Sequence, residues 1–129
     1  MRKGKSIKGQ SLVEFALVLP VLLLLLLGIM EFGLMFSNKL TLVNAAREGA
    51  RYGAVHHIDS DFNAKVNSRI KSTAVGLNLT DSQITVNVDN TSGNISVKLT
   101  YGFTVLDPIT SAIVGNSIAL SASAVMALE

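Results

Sequence analysis

The sequence predicts an α+β fold carried on a long N-terminal transmembrane helix, and three observations support it. Residues 12–36 hold only two charges, Glu14 and Glu31. Apolar residues then recur at intervals of three and four as far as Ala74, and beyond Ile84 the interval falls to two. The chain of 129 residues has room for one small domain and an anchor, with its 49% hydrophobic content concentrated before residue 37.

The apolar run comes first. As a helix, 25 residues from Leu12 to Phe36 span roughly 37 Å, enough to cross a bilayer. A secretory signal has a shorter apolar centre followed by a small-x-small cleavage site. Here the run passes into "MEFGLMFSNK" with no such pattern, so a retained anchor is expected. Arg2, Lys3, Lys5 and Lys8 precede the span and only Lys39 follows it closely, which places the N-terminus in the cytoplasm and the C-terminal domain outside a cytoplasmic membrane. Membrane lipid is thus an expected partner. Pro20 removes one backbone donor and crowds the carbonyl of Ala16, so a bend or loosened turn is expected there.

The formal net charge is +2, and setting aside the four basic residues at the tip leaves −2 for everything after Gly9. The basic character therefore belongs to the tip, and no nucleic-acid partner is expected. Cysteine is absent, which excludes a disulfide, a thiolate nucleophile and a cysteine-ligated metal.

The helical pattern continues through "SNKLTLVNAAREGARYGAV", with Leu40, Val43, Ala46 and Ala50 on one face. Ala45, Gly49 and Gly53 form a row of small residues one turn apart. Such a row admits another backbone, either a partner helix or the chain's own sheet, and the sequence leaves both uses open. Arg47, Glu48 and Arg51 read as a solvated face. A second helix follows "HHIDSD", with Asp59 or Asp61 capping, Phe62, Val66, Ile70 and Ala74 on one face, and Gly76 as the stop.

Two strands come next. Ile84, Val86 and Val88 alternate with polar residues, as do Ile95 through Val105, and the turn formers "DNTSGN" between them predict an antiparallel hairpin. "LDPITSAIVG" reads as a short helix capped by Asp107 with Pro108 at its first position, and Ile118 through Met126 alternate as a third strand. A three-stranded antiparallel sheet with helices on one face is the smallest arrangement that buries one apolar sheet face.

Catalytic chemistry finds no support. His56 and His57 are sequence neighbours, point in different directions, and make a poor metal pair. No phosphate loop, nucleophile elbow, zinc motif or other cofactor-binding motif is present, so the reading is a protein that is not an enzyme, with no cofactor and no metal.

The N-terminus carries a more specific signal. "KGQSLVEFALVLP" resembles the processing site of type IV pilins and pseudopilins, in which a prepilin peptidase cuts after glycine and a glutamate stands fifth in the mature chain. The matching residues are Gly9 and Glu14. Together with "LLLLLLGIMEFG" and "LVNAAREGARYGA", the segment resembles the TadE-like family, minor pilins of the tight-adherence branch of type IV pili. The resemblance is close over residues 9–54 and loose beyond. Gln10 departs from the phenylalanine of commoner type IV pilins.

The resemblance implies a type IV pilin-like layout: a cytoplasmic leader over residues 1–9, a transmembrane helix over 10–36, and an extracytoplasmic domain over 37–129 that begins with the continuation of the helix. It implies cleavage between Gly9 and Gln10, and as partners the prepilin peptidase, other pilin subunits and the pilus assembly platform. The implied location is the cytoplasmic membrane and a surface pilus serving adhesion. Cleavage creates an α-amine with a pKa of about 8. Glu14, costly alone in an apolar span, then gains a cationic partner on its own or an adjacent subunit. Glu31, near the far boundary, is expected to reach the outer headgroups. A reading from a different class is a binding module held by an uncleaved anchor.

Overall fold

The computed structural model describes residues 7–129, with side chains described from Gly9 onward. Residues 1–6 and the side chain of Lys8, on which the orientation argument draws, lie outside the described residues.

One helix, α1, runs unbroken from Ile7 to His56. Its 50 residues make a rod about 75 Å long. The helix continues through Pro20, where a loosened turn was expected. Its C-terminal carbonyls are met by side chains: Nδ1 of His56 lies 2.9 Å from the Tyr52 carbonyl oxygen and Nδ1 of His57 lies 3.0 Å from that of Ala54. The His56 ring also stacks on Tyr52. The histidines form a polar helix end.

The second helix, α2 (Phe62–Thr73), crosses the distal part of α1 and buries Val66 and Ile70 completely. The buried stripe on α1 is Leu42, Ala45, Ala46, Gly49, Ala50 and Gly53. Leu40, assigned to that face from its spacing, is 49% exposed. The expected cap on α2 is also corrected. Asp61 occupies the N-cap position with φ −109° and ψ 24°, away from the extended conformation that turns a cap's side chain onto the helix, and it makes no capping bond. Asp59 and Asp61 instead hold Lys65, at 3.1 and 2.9 Å.

After Gly76, at φ +86°, Leu77 and Leu79 turn into the core, and a 3-10 turn (Asp81–Gln83) leads into the sheet. Strands β1 (Ile84–Asp89), β2 (Asn94–Thr104) and β3 (Ser117–Ala127) lie in the order β1-β2-β3, both pairs antiparallel. Ile84 opposes Leu99, and Leu99 opposes Ala122, so one face is apolar throughout. The β1–β2 turn is held by Asp89, whose carboxylate accepts from the Thr91 and Ser92 N–H groups and the Ser92 hydroxyl, while Gly93 supplies the positive φ of 66°. Helix α3 (Pro108–Val114) connects β2 to β3.

The core lies between the distal part of α1, α2 and the apolar face of the sheet, with Leu42, Val66, Ile70, Val97 and Leu99 fully buried. β2 runs back along α1. Near its start, Ile95 meets Gly53, and just past its end, Leu106 and Asp107 meet Glu31. The 22 helical residues between Glu31 and Gly53 rise about 33 Å, close to the roughly 36 Å spanned by an 11-residue strand. The sheet thus descends toward the apolar half of the helix.

Candidate functional site

The site is the apolar half of α1 and its two carboxylates. From Leu12 to Met30 the large apolar side chains are exposed, Leu12, Phe15 and Leu17 each by more than 60%. Burial against the domain begins at Glu31. Among the described residues, α1 is the one helix long and apolar enough to cross a membrane, compatible with a single-pass anchor.

Glu14 lies one turn from Gln10. The side-chain amide of Gln10 donates to Glu14 Oε1 at 3.1 Å, an i,i+4 contact on the exposed helix surface. The carboxylate therefore has a neutral donor. Gly9 and Gln10 are both helical and belong to the same turn.

Glu31 behaves differently from its sequence assignment. It is buried, and its Oε1 accepts the backbone N–H groups of Leu106 and Asp107, both at 2.7 Å. It ties the helix to the loop after β2 and does not reach out to headgroups. Asp107 in turn caps α3, accepting from the Ile109 and Thr110 N–H groups at 3.3 and 3.0 Å and from the Thr110 hydroxyl at 2.6 Å. Those Thr110 and Ile109 donors hold its carboxyl below the ordinary aspartate range. Sequence reasoning found this cap from the Asp-Pro pair, but no local signal marks the Glu31 contact.

Ala45, Gly49 and Gly53 stand apart from this pair. A Cβ on Gly49 would lie 2.4 Å from Ile70 Cγ1, and one on Gly53 would lie 2.4 Å from Ile95 Cδ1. Ala45 is fully buried. The row admits the chain's own second helix and sheet. Two further contacts were not legible in the sequence: Arg69 of α2 donates twice to Glu48 Oε1 at 3.0 and 2.7 Å, and Lys39 donates to the Ser121 carbonyl on β3. The first is an exposed pair that adds less than about 1 kcal/mol. The second blunts an otherwise open sheet edge.

A family model described as TadE-like protein matches residues 9–51. The N-terminal third of the chain is therefore similar to TadE-like proteins. That segment includes Gln10, Glu14, Glu31, Ala45 and Gly49 and stops short of Gly53 and the sheet. The TadE-like match agrees with the resemblance read from the residues. No curated protein and no solved structure matches the chain. Among the described residues, no three His, Asp or Glu side chains are placed to hold a metal ion.

Proposed function

We propose that this chain is a TadE-like minor pilin or pilus-assembly component, cleaved after Gly9 by a prepilin peptidase and incorporated into, or required for, a surface filament. The observation that carries this reading is an exposed apolar helix with an exposed carboxylate near its start, Glu14, five residues beyond Gly9, inside the segment that matches the family. Residues 10–36 cross the cytoplasmic membrane, residues 37–129 lie outside it, and lipid covers the span until other subunits replace it.

The chemistry follows the order in which charges arise. Before cleavage, residue 10 contributes an amide nitrogen, and Glu14 takes the Gln10 side-chain N–H. Hydrolysis of the Gly9–Gln10 bond converts that backbone amide into an ammonium group. The ammonium and Glu14 then neutralise each other, within one chain or between neighbours, so the apolar end of the helix can enter a filament core without an unpaired charge.

The test is made in the source cell. Filaments sheared from cells with an active prepilin peptidase should contain the chain, or should be lost when the chain is deleted. Filaments that form normally without the chain, and do not contain it, would remove the pilus role and leave the membrane-held binding module.

A further inference from the structure

The segment joining β2 to β3 presents four large apolar side chains to solvent: Leu106 at 76%, Ile109 at 47%, Ile113 at 79% and Val114 at 49% exposure. They lie within nine residues and are continuous with no buried face, since α3 buries none of its residues. The position of this patch is fixed by Glu31. The two N–H groups that Glu31 accepts, on Leu106 and Asp107, set the segment beside α1 at a level five residues before Phe36. That is about 7.5 Å inside the end of the apolar run.

The backbone of the segment is prepared for an apolar environment. Val105 N–H donates to the Asn116 carbonyl, Leu106 and Asp107 N–H to Glu31, Ile109 and Thr110 N–H to the Asp107 carboxylate, and Ser111 N–H to the Asp107 carbonyl. Pro108 has no N–H to satisfy. Every backbone donor from Val105 to Ser111 is thus met within the protein, a condition that hydrocarbon imposes and water does not. From Leu99 to Leu128 the only charged residue is Asp107, and its carboxylate is turned onto the N-terminus of α3.

We infer that the β2–α3 segment is a second membrane contact, with Leu106, Ile109, Ile113 and Val114 entering the interfacial zone of the outer leaflet beside α1. The occupant of this patch is a phospholipid surface. The argument rests on the reading of α1 as a membrane span, to which Glu31 ties this segment. A buried glutamate inside an otherwise apolar run acquires a reason: it satisfies the two donors that water cannot reach at that depth. Two contacts, the span and the segment, fix the rotation of the domain about the helix axis, which a single span leaves free.

The absence of cysteine allows a direct test on the full chain in phospholipid vesicles. A nitroxide is attached to a single cysteine introduced as Ile113→Cys, Leu25→Cys or Asn90→Cys, all at exposed positions. Collision with oxygen, which concentrates in lipid, is compared with collision with a water-soluble nickel chelate. The expected oxygen-to-nickel ratio at Ile113 exceeds that at Asn90 several-fold and falls below that at Leu25. If the label at Ile113 matches Asn90 while Leu25 reports lipid, the segment lies in water and the inference fails, with the span intact. Shielding of Ile113 from both colliders overturns it in favour of a second copy of the chain. A Leu25 label exposed to nickel removes the span and this inference together.

Discussion

Glu31 Oε1 lies 2.7 Å from the backbone nitrogen of Asp107, 76 residues further along the chain, and the carboxylate of Asp107 caps the next helix. The two acids form a relay from the apolar half of α1 to the start of α3. Removing the first acceptor strands two N–H groups at once. Glu31→Ala should cost about 2 kcal/mol, within the 1–3 kcal/mol range for unsatisfied buried donors. Glu31→Gln, which keeps an acceptor oxygen, should cost distinctly less. Thermal unfolding of the detergent-solubilised full chain measures both. Equal stability of Glu31→Ala and wild type would show that water replaces the carboxylate.

Close approach at Gly49 gives a second expectation. A methyl group there would sit 2.4 Å from Ile70 Cγ1 and 2.7 Å from its Cδ1, closer than packed carbons come. Gly49→Ala should destabilise the full chain by about 1–3 kcal/mol. Combining it with Ile70→Val, which removes the Cδ1 atom, should cost less than the sum of the two single changes. Strict additivity in the double-mutant cycle would mean that α2 shifts as a body.

The fold was legible where its causes are local. The alternation of Ile84 to Val88 and Ile95 to Val105 set the strand faces, and the Asp-Pro pair at 107–108 set the α3 cap, because each depends on residues within one or two turns. Asp61 failed as a cap because the decision rests on its own φ and ψ, which the preceding turn fixes. The partner of the Gly49 row, Ile70, and the partners of Glu31 are tertiary contacts, and spacing along one helix carries no information about them. The bond from the Gln10 side chain to Glu14 depends on side-chain rotamers, which residue spacing does not fix.

Acid dependence follows from the carboxylates. Asp107, Asp89 and Asp81 are each held below the ordinary value of 3.8, by Thr110, Ser92 and Lys71 respectively. A carboxyl depressed in the folded chain contributes stability that is complete above its unfolded value and is lost as pH falls through the folded one. The unfolding temperature should therefore be insensitive to these groups near neutrality and decline below about pH 4. Asp107→Asn should flatten that decline. The check is a series of melting curves from pH 7 to pH 2.5, and an unchanged slope in the variant would assign the acid sensitivity to other groups.

Cutting and assembly should separate at Glu14. Residue 10 is still an amide when the peptidase acts, so Glu14→Gln should be cleaved at near-normal yield. Its new ammonium would then enter an apolar core unpaired, at a typical cost of about 3–5 kcal/mol, which depletes a reversible assembly a hundredfold or more. The expected result is mature-sized protein in the membrane fraction and little in sheared filaments. Equal incorporation of variant and wild type at limiting expression would leave Glu14 as an interfacial residue that does not pair with the amine.

The pilin reading depends on a bond being cut between Gly9 and Gln10. The most direct measurement is the intact mass of the chain extracted from membranes of cells with an active prepilin peptidase. The account predicts a chain that begins at Gln10, lighter by Met1 to Gly9, and a Gly9→Phe variant that keeps those nine residues because the bulky side chain blocks the cleft. A wild-type chain still carrying its first nine residues, or normal maturation of Gly9→Phe, would contradict it.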